Sequence, residues 1–116
     1  MTQNLDRLLP ILKAAPVVPV LIIEDFHTAV PLARALIAGG LTALEVTLRT
    51  PAALDCIRAI KGEVEGANVG AGTILNPKQF DEAVAGGSTF LVSPGASPKL
   101  IAHANGSPVP LLPRIA

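Results

Sequence analysis

Tryptophan and tyrosine are absent from this sequence, and phenylalanine occurs three times. Single-stranded nucleic acid binds by stacking bases on aromatic faces, so this poverty argues against such a surface. Charge of one sign is missing as well: nine Lys and Arg balance nine Asp and Glu. Without a basic stripe the electrostatic footprint of a nucleic-acid binder is lacking, and no DNA or RNA partner is expected. Cysteine is represented by Cys56 alone. One thiol excludes an internal disulfide and any cysteine-based zinc site, suits a reducing cytoplasm, and reads as a small core filler. No His and carboxylate pair has the spacing of a metal site, so neither metal nor cofactor is expected. Long apolar runs are lacking too, all falling well short of the ~20 residues needed to cross a membrane. The first residues, "MTQNLDRLLPILKAAP", interrupt their apolar positions with Asp6, Arg7 and Pro10. A signal peptide has an uninterrupted apolar segment there, so a cytoplasmic protein with no membrane partner is expected.

What is present is apolar material, 50% of the chain with mean hydropathy +0.53, ample for one core in residues 1–116. It falls into a repeating rhythm. Residues 17–23, "VVPVLII", form a β-branched and aliphatic run of the kind buried on both faces of a parallel sheet. Residues 28–38 then carry Ala29, Leu32, Ala33, Leu36 and Ile37 at helical spacing, and Gly39-Gly40 stops the helix. Further strands are expected over 43–48, 67–71, 89–92 and 109–112, with helices over 52–60, 78–85 and 99–105. Thr50-Pro51, Asn76-Pro77 and Ser97-Pro98 each offer a capping residue followed by proline at the first helical position. Asn76 and Gln79 add the spacing of a capping box. Strands separated by one helix demand parallel pairing with right-handed crossovers, which leaves a (β/α)₈ barrel or an open doubly wound sheet. No Gly-x-Gly-x-x-Gly follows a strand, so the dinucleotide-binding sheet loses its main support. A whole barrel takes about 250 residues. Four and a half β/α units are expected here, half a barrel, with unpaired outer edges that favour self-association.

Barrel active sites collect where the strands end, and the chemistry-bearing residues fall there. "EVTLRT" at 45–50 alternates Glu45, Thr47 and Arg49 with Val46 and Leu48, a polar face against a packing face. Arg49 has the fork to grip a carboxylate or phosphate, and Thr73 of "GAGT" can add a hydrogen bond. Gly72 would let a ligand approach the backbone. Glu45 in a barrel mouth would have its proton affinity raised by burial and lowered by Arg49, which suits proton transfer. Plainer readings coexist with these. Glu45 and Arg49 could form an internal ion pair, "GAGT" could be a tight turn, Glu24-Asp25 reads as a helix cap, and His27 and His103 read as surface residues.

Taken together, "PVVPV" at 16–20, "AGG" at 38–40, "LEVTLRT" at 44–50, "VGAGTILNP" at 69–77, "SPG" at 93–95 and "PLLP" at 110–113 resemble the bacterial 2-keto-3-deoxy-6-phosphogluconate (KDPG) and 4-hydroxy-2-oxoglutarate (KHG) aldolases. The resemblance implies a TIM-type barrel and a class I aldolase, in which a lysine amine forms a Schiff base with the keto group of a small oxo-acid. Pyruvate then leaves with glyceraldehyde 3-phosphate or glyoxylate. By position, Glu45 matches the family's general acid and base, Arg49 and Thr73 the residues holding the pyruvate carboxylate, and Pro94 a wall of the pocket. A homotrimer is implied as well. The Schiff-base lysine of a Lys-Phe-Phe-Pro type motif has no counterpart among Lys13, Lys61, Lys78 and Lys99, and Arg114 stands where the family has glycine. A truncated chain is therefore expected, and a half-barrel that binds oxo-acids weakly or associates with itself is the alternative.

Overall fold

The computed structural model describes residues 18–113 apart from Ala96. Strand β1 (Val20–Leu21) leads through a 3₁₀ turn (Phe26–Thr28) into helix α1 (Ala29–Ala38). Then follow β2 (Ala43–Thr47), α2 (Ala53–Glu63), β3 (Asn68–Gly72), α3 (Pro77–Ala85), β4 (Leu91–Ser93), α4 (Pro98–Asn105) and β5 (Leu111–Pro113). The strands form one sheet in the order β1-β2-β3-β4-β5, every pair parallel. A doubly wound sheet reverses its strand order at a switch point, whereas an order that follows the sequence is the arc of a (β/α)₈ barrel. The alternative left open by the strand spacing is thereby settled in favour of the barrel type, with four and a half β/α units in the described residues.

The two faces of the sheet are unequal. Leu44, Val46, Val69, Ala71, Leu91 and Leu111 pack outward against Ala33, Ile57, Ile60, Phe80 and Leu100 of the helices in one continuous core. Each of the larger side chains in it contributes roughly 1.5–3 kcal/mol through burial. On the opposite, inner face Ala43, Phe90 and Val92 form a smaller cluster with Val18 against it. No helix among the described residues is long and apolar enough to cross a membrane.

Several boundaries differ from expectation. The run at 17–23 was expected to be covered on both faces, yet Val20 is 48% and Ile22 57% exposed. β1 is outermost and pairs with β2 at only two positions, Val20 with Glu45 and Leu21 with Val46, so its inner face meets little protein. The Thr50-Pro51 cap is also overturned. Helix α2 starts at Ala53 with Ala52 at the cap position and no side-chain cap. The Thr50 hydroxyl instead donates to the Ile23 carbonyl at 2.6 Å, tying the loop after β2 to the end of the β1 segment.

The other two cap-plus-proline signals hold. Asn76 Oδ1 accepts from Gln79 N at 2.9 Å, and Ser97 Oγ accepts from Leu100 N at 3.1 Å. The return bond of Gln79 goes to Leu75 N at 2.8 Å, one residue ahead of the usual capping-box donor. Gly40 and Gly87, after α1 and α3, adopt φ 95° and 104°, the left-handed region that glycine enters without a Cβ penalty.

Candidate active site

Parallel strands bring their C-terminal ends to one rim, and Arg49, Thr73 and Pro94 lie there, just beyond β2, β3 and β4. Glu45 is in the middle of β2, on the inner face because Leu44 and Val46 take the helical side. It is only 4% exposed. Its register partner on β3 is Gly70, and Gly72 lies two residues further along, opposite Thr47. A Cβ at Gly72 would overlap the Glu45 carboxylate and lie 2.8 Å from its Cδ. The space above Gly72 therefore houses Glu45, a correction to the expectation that this glycine admits a ligand to the backbone. Gly70 has a parallel duty, since a Cβ there would come within 2.5 Å of the Phe90 ring. Two bare positions on β3 thus let a carboxylate and an aromatic ring lie flat across the inner face.

Directly after β3 comes Thr73, whose φ is 63°. A β-branched residue in the left-handed region carries a cost of about 1–3 kcal/mol that the surroundings must impose. They do so on both sides. Gly72 O accepts from Leu48 N at 2.9 Å, and Ile74 N donates to Val92 O at 3.1 Å. Strain of this kind clusters at functional sites, and here it adjoins the glycine beneath Glu45.

Arg49 follows β2 in a turn and is exposed. The strand ends at Thr47, so the alternation that puts Glu45 and Thr47 on one face does not extend to Arg49 as a strand residue. Ion pairs between described side chains join Asp55 to Arg58 and Asp81 to His103, not Glu45 to Arg49. The internal ion-pair reading is thereby removed. Pro94 is exposed just beyond β4 and lines a cleft of about 330 Å³ with Ile74, Leu75, Gly95, Ser97 and Leu100. A hollow of about 430 Å³ lined by Phe26, Asp55, Arg58, Ala59 and Glu63 lies on the helical side and shares none of these residues. It is larger but shallow and remote from Glu45, so volume is a poor guide to the chemistry in this fold.

The remaining candidates take the plainer roles. Asp25 Oδ1 caps the 3₁₀ turn by accepting from His27 N at 2.9 Å. His27 is exposed, and His103 places Nε2 2.6 Å from Asp81 Oδ1 with its ring edge-on to Phe80 at 5.2 Å. Among the described residues no group of three or more His, Cys, Asp or Glu could hold a metal ion. Cys56 is buried in α2 within the core. Burial pushes its thiol above the ordinary range, and the Asp55 and Asp25 carboxylates push in the same direction.

The sequence profile of the KDPG and KHG aldolases matches residues 9–116. The chain belongs to this aldolase family. It is 54% identical over 106 residues to the 2-dehydro-3-deoxy-phosphogluconate aldolase of Zymomonas mobilis, a stretch that is 91% of this chain and 50% of that protein. The crystal structure of the Zymomonas mobilis aldolase with 3-phosphoglycerate superposes with a TM-score of 0.88 at 52% identity, covering 92% of this chain and 51% of the other. The KDPG aldolase of Legionella pneumophila, solved with pyruvate captured at low pH as a covalent carbinolamine intermediate, gives 0.85 at 42% identity over 89% and 50% of the two chains. The chain spans about half the length of these aldolases.

Two features of this aldolase rim were not legible beforehand. Thr73 stands in left-handed backbone, which its neighbours in "GAGTIL" do not announce, since glycine or asparagine is the usual sign. Thr47 was visible on the polar face but had no assigned task. It is 3% exposed, and its Oγ1 has no hydrogen-bond partner among the described residues.

Proposed function

We propose that this chain supplies the proton-transfer and carboxylate-binding wall of a class I aldolase acting on KDPG, and on 4-hydroxy-2-oxoglutarate. In this reading Glu45 moves protons on and off the imine and enamine. Arg49 and Thr73 hold the carboxylate of the pyruvate moiety, and Pro94 closes one side of the pocket. The observation that carries the reading is the Glu45 carboxylate, buried on the inner face and laid over Gly72, one residue before the strained Thr73. A carboxylate kept from bulk water beside an anion-binding edge is equipped for general acid and base work. The Schiff-base amine comes from outside this chain. Lys61, Lys78 and Lys99 are exposed on helices, the layer opposite Glu45, and Lys13 lies outside the described residues. A cytoplasmic location and a homotrimeric assembly of the whole aldolase belong to the same proposal.

The test is borohydride reduction in the presence of pyruvate, read by intact mass, alongside a pyruvate titration followed by NMR. The expected result is saturable pyruvate binding that Arg49→Ala and Thr73→Ala each weaken, with no reduced adduct on the chain. Supplying a segment that carries the missing lysine should then restore turnover. A stoichiometric adduct would overturn the lysine assignment, and failure to bind pyruvate would overturn the functional reading. The alternative, a half-barrel that associates with itself, is favoured by the exposure of Val20, Ile22 and Leu112. It predicts no rescue by the added lysine.

A further inference from the structure

Gly70 stands between two inner-face side chains that lean opposite ways. On one side it is the register partner of Glu45. On the other it adjoins Phe90, because Thr89 N donates to Val69 O at 2.9 Å and Ala71 N to Phe90 O at 3.2 Å. A Cβ at Gly70 would lie 2.5 Å from Cε2 and 2.6 Å from Cδ2 and Cζ of the Phe90 ring, so the ring lies across β3. It packs in one cluster with Ala43, the residue of β2 two positions before Glu45, and Val18 extends that apolar patch. Glu45 leans the other way, with its Cγ and Cδ 3.1 and 2.8 Å from where a Cβ of Gly72 would be. Two χ1 wells are common in strands, so the backbone by itself leaves the Glu45 side chain both courses, down toward Ala43 or up toward Gly72. The lower course is filled by the ring and bounded by apolar groups, where a carboxylate would be costly. The upper one leads to the rim.

We infer that Phe90 is a positioning residue for Glu45: its ring, laid over Gly70 and against Ala43, blocks the lower course and leaves the carboxylate only the one toward Gly72 and the rim. Gly70 is bare so that the ring can reach across β3, and Gly72 is bare so that the carboxylate can lie down above it. The inference rests on the aldolase reading of the same site for its consequence, though not for its geometry.

Phe90→Ala in the full chain opens the lower course, and Ile60→Ala, in the core on the helical side, serves as a control that removes buried apolar volume away from Glu45. Both should lower the melting temperature. Only Phe90→Ala should weaken pyruvate binding, by about three- to tenfold in an NMR titration. In chain labelled with ¹³C at the glutamate carboxyls, the resonance missing from Glu45→Gln should shift on adding pyruvate to the wild type, and that response should shrink in Phe90→Ala. Phe90→Leu/Gly70→Ala refills the floor with a leucine and a methyl group, and should recover both the binding and the response. Where Phe90→Ala does not fold, Phe90→Leu takes its place and is compared with the same double variant. If pyruvate binding falls no more in the Phe90 variant than in Ile60→Ala, the ring is packing only and the proposal falls, while the aldolase reading stands. If the wild-type chain binds no pyruvate, the aldolase reading fails. Crystal structures of the wild type and the Phe90 variant then decide Phe90 alone: a carboxylate turned down toward Ala43 in the variant supports the proposal, and one still lying over Gly72 overturns it.

Discussion

At the scale of single residues, the site is built by what β3 leaves out. Gly72 exists to clear room for a carboxylate on the neighbouring strand, so Gly72→Ala must displace Glu45 or bend β3. We expect a loss of about 1–3 kcal/mol in stability, the usual cost of overpacking, measured as a lower urea midpoint. Pyruvate binding should weaken in parallel. Shortening the carboxylate in Glu45→Asp/Gly72→Ala should recover part of the stability, though not the binding. Cys56 offers a second test. Its folded thiol holds its proton more tightly than the unfolded one because burial disfavours the thiolate. Between the unfolded value, ~8.5, and the higher folded one, the unfolded state has released a proton that the folded state retains. The contribution of Cys56 to stability is therefore complete below about pH 8.5 and is lost as pH rises through the folded value. Thermal melts from pH 7 to 10 should fall more steeply for the wild type than for Cys56→Ala. Thiol reagents should modify Cys56 slowly at neutral pH.

At the scale of elements, caps separate what local sequence can show from what it cannot. Asn76-Pro77 and Ser97-Pro98 cap their helices because each side chain reaches a backbone N–H three residues on. Thr50-Pro51 is the same signal, yet Thr50 bonds to Ile23, 27 positions away. No local pattern foretells a partner at that distance. Asn76→Ala should cost about 1 kcal/mol and speed hydrogen exchange in the first turn of α3. Thr50→Ala should cost a similar amount, about 0.5–1.5 kcal/mol, but speed exchange around Ile23 and leave α2 unaffected. Strand positions were legible from β-branched runs, to within a residue or two at most ends. The rim was legible as residue types, with Arg49, Thr73 and Pro94 just past strand ends and Glu45 mid-strand on the inner face. Its left-handed Thr73 and the packing of Glu45 over Gly72 were not, because both depend on which strands become neighbours.

At the scale of the whole molecule, the sheet turns an uneven pair of faces to its surroundings. The helical face is a continuous core, while Val20, Ile22 and Leu112 leave 48%, 57% and 38% of their surface open on the inner side. Apolar surface grouped beside outer strands promotes association. Sedimentation velocity should therefore show species larger than a monomer at micromolar concentration, and Ile22→Lys with Leu112→Lys should shift the distribution toward monomer. Because Ile22 is 57% exposed, Ile22→Lys by itself should leave the melting temperature of any cooperative transition nearly unchanged.

The strictly sequential order of the strands also bears on how the chain comes to be folded. Every strand pairs with the one before it, so no contact in the sheet waits for a distant partner, and contact order stays low for a parallel architecture. A nascent chain leaving the ribosome can dock each strand and helix onto the last, growing the sheet in one direction, and the newest strand is always the reactive end.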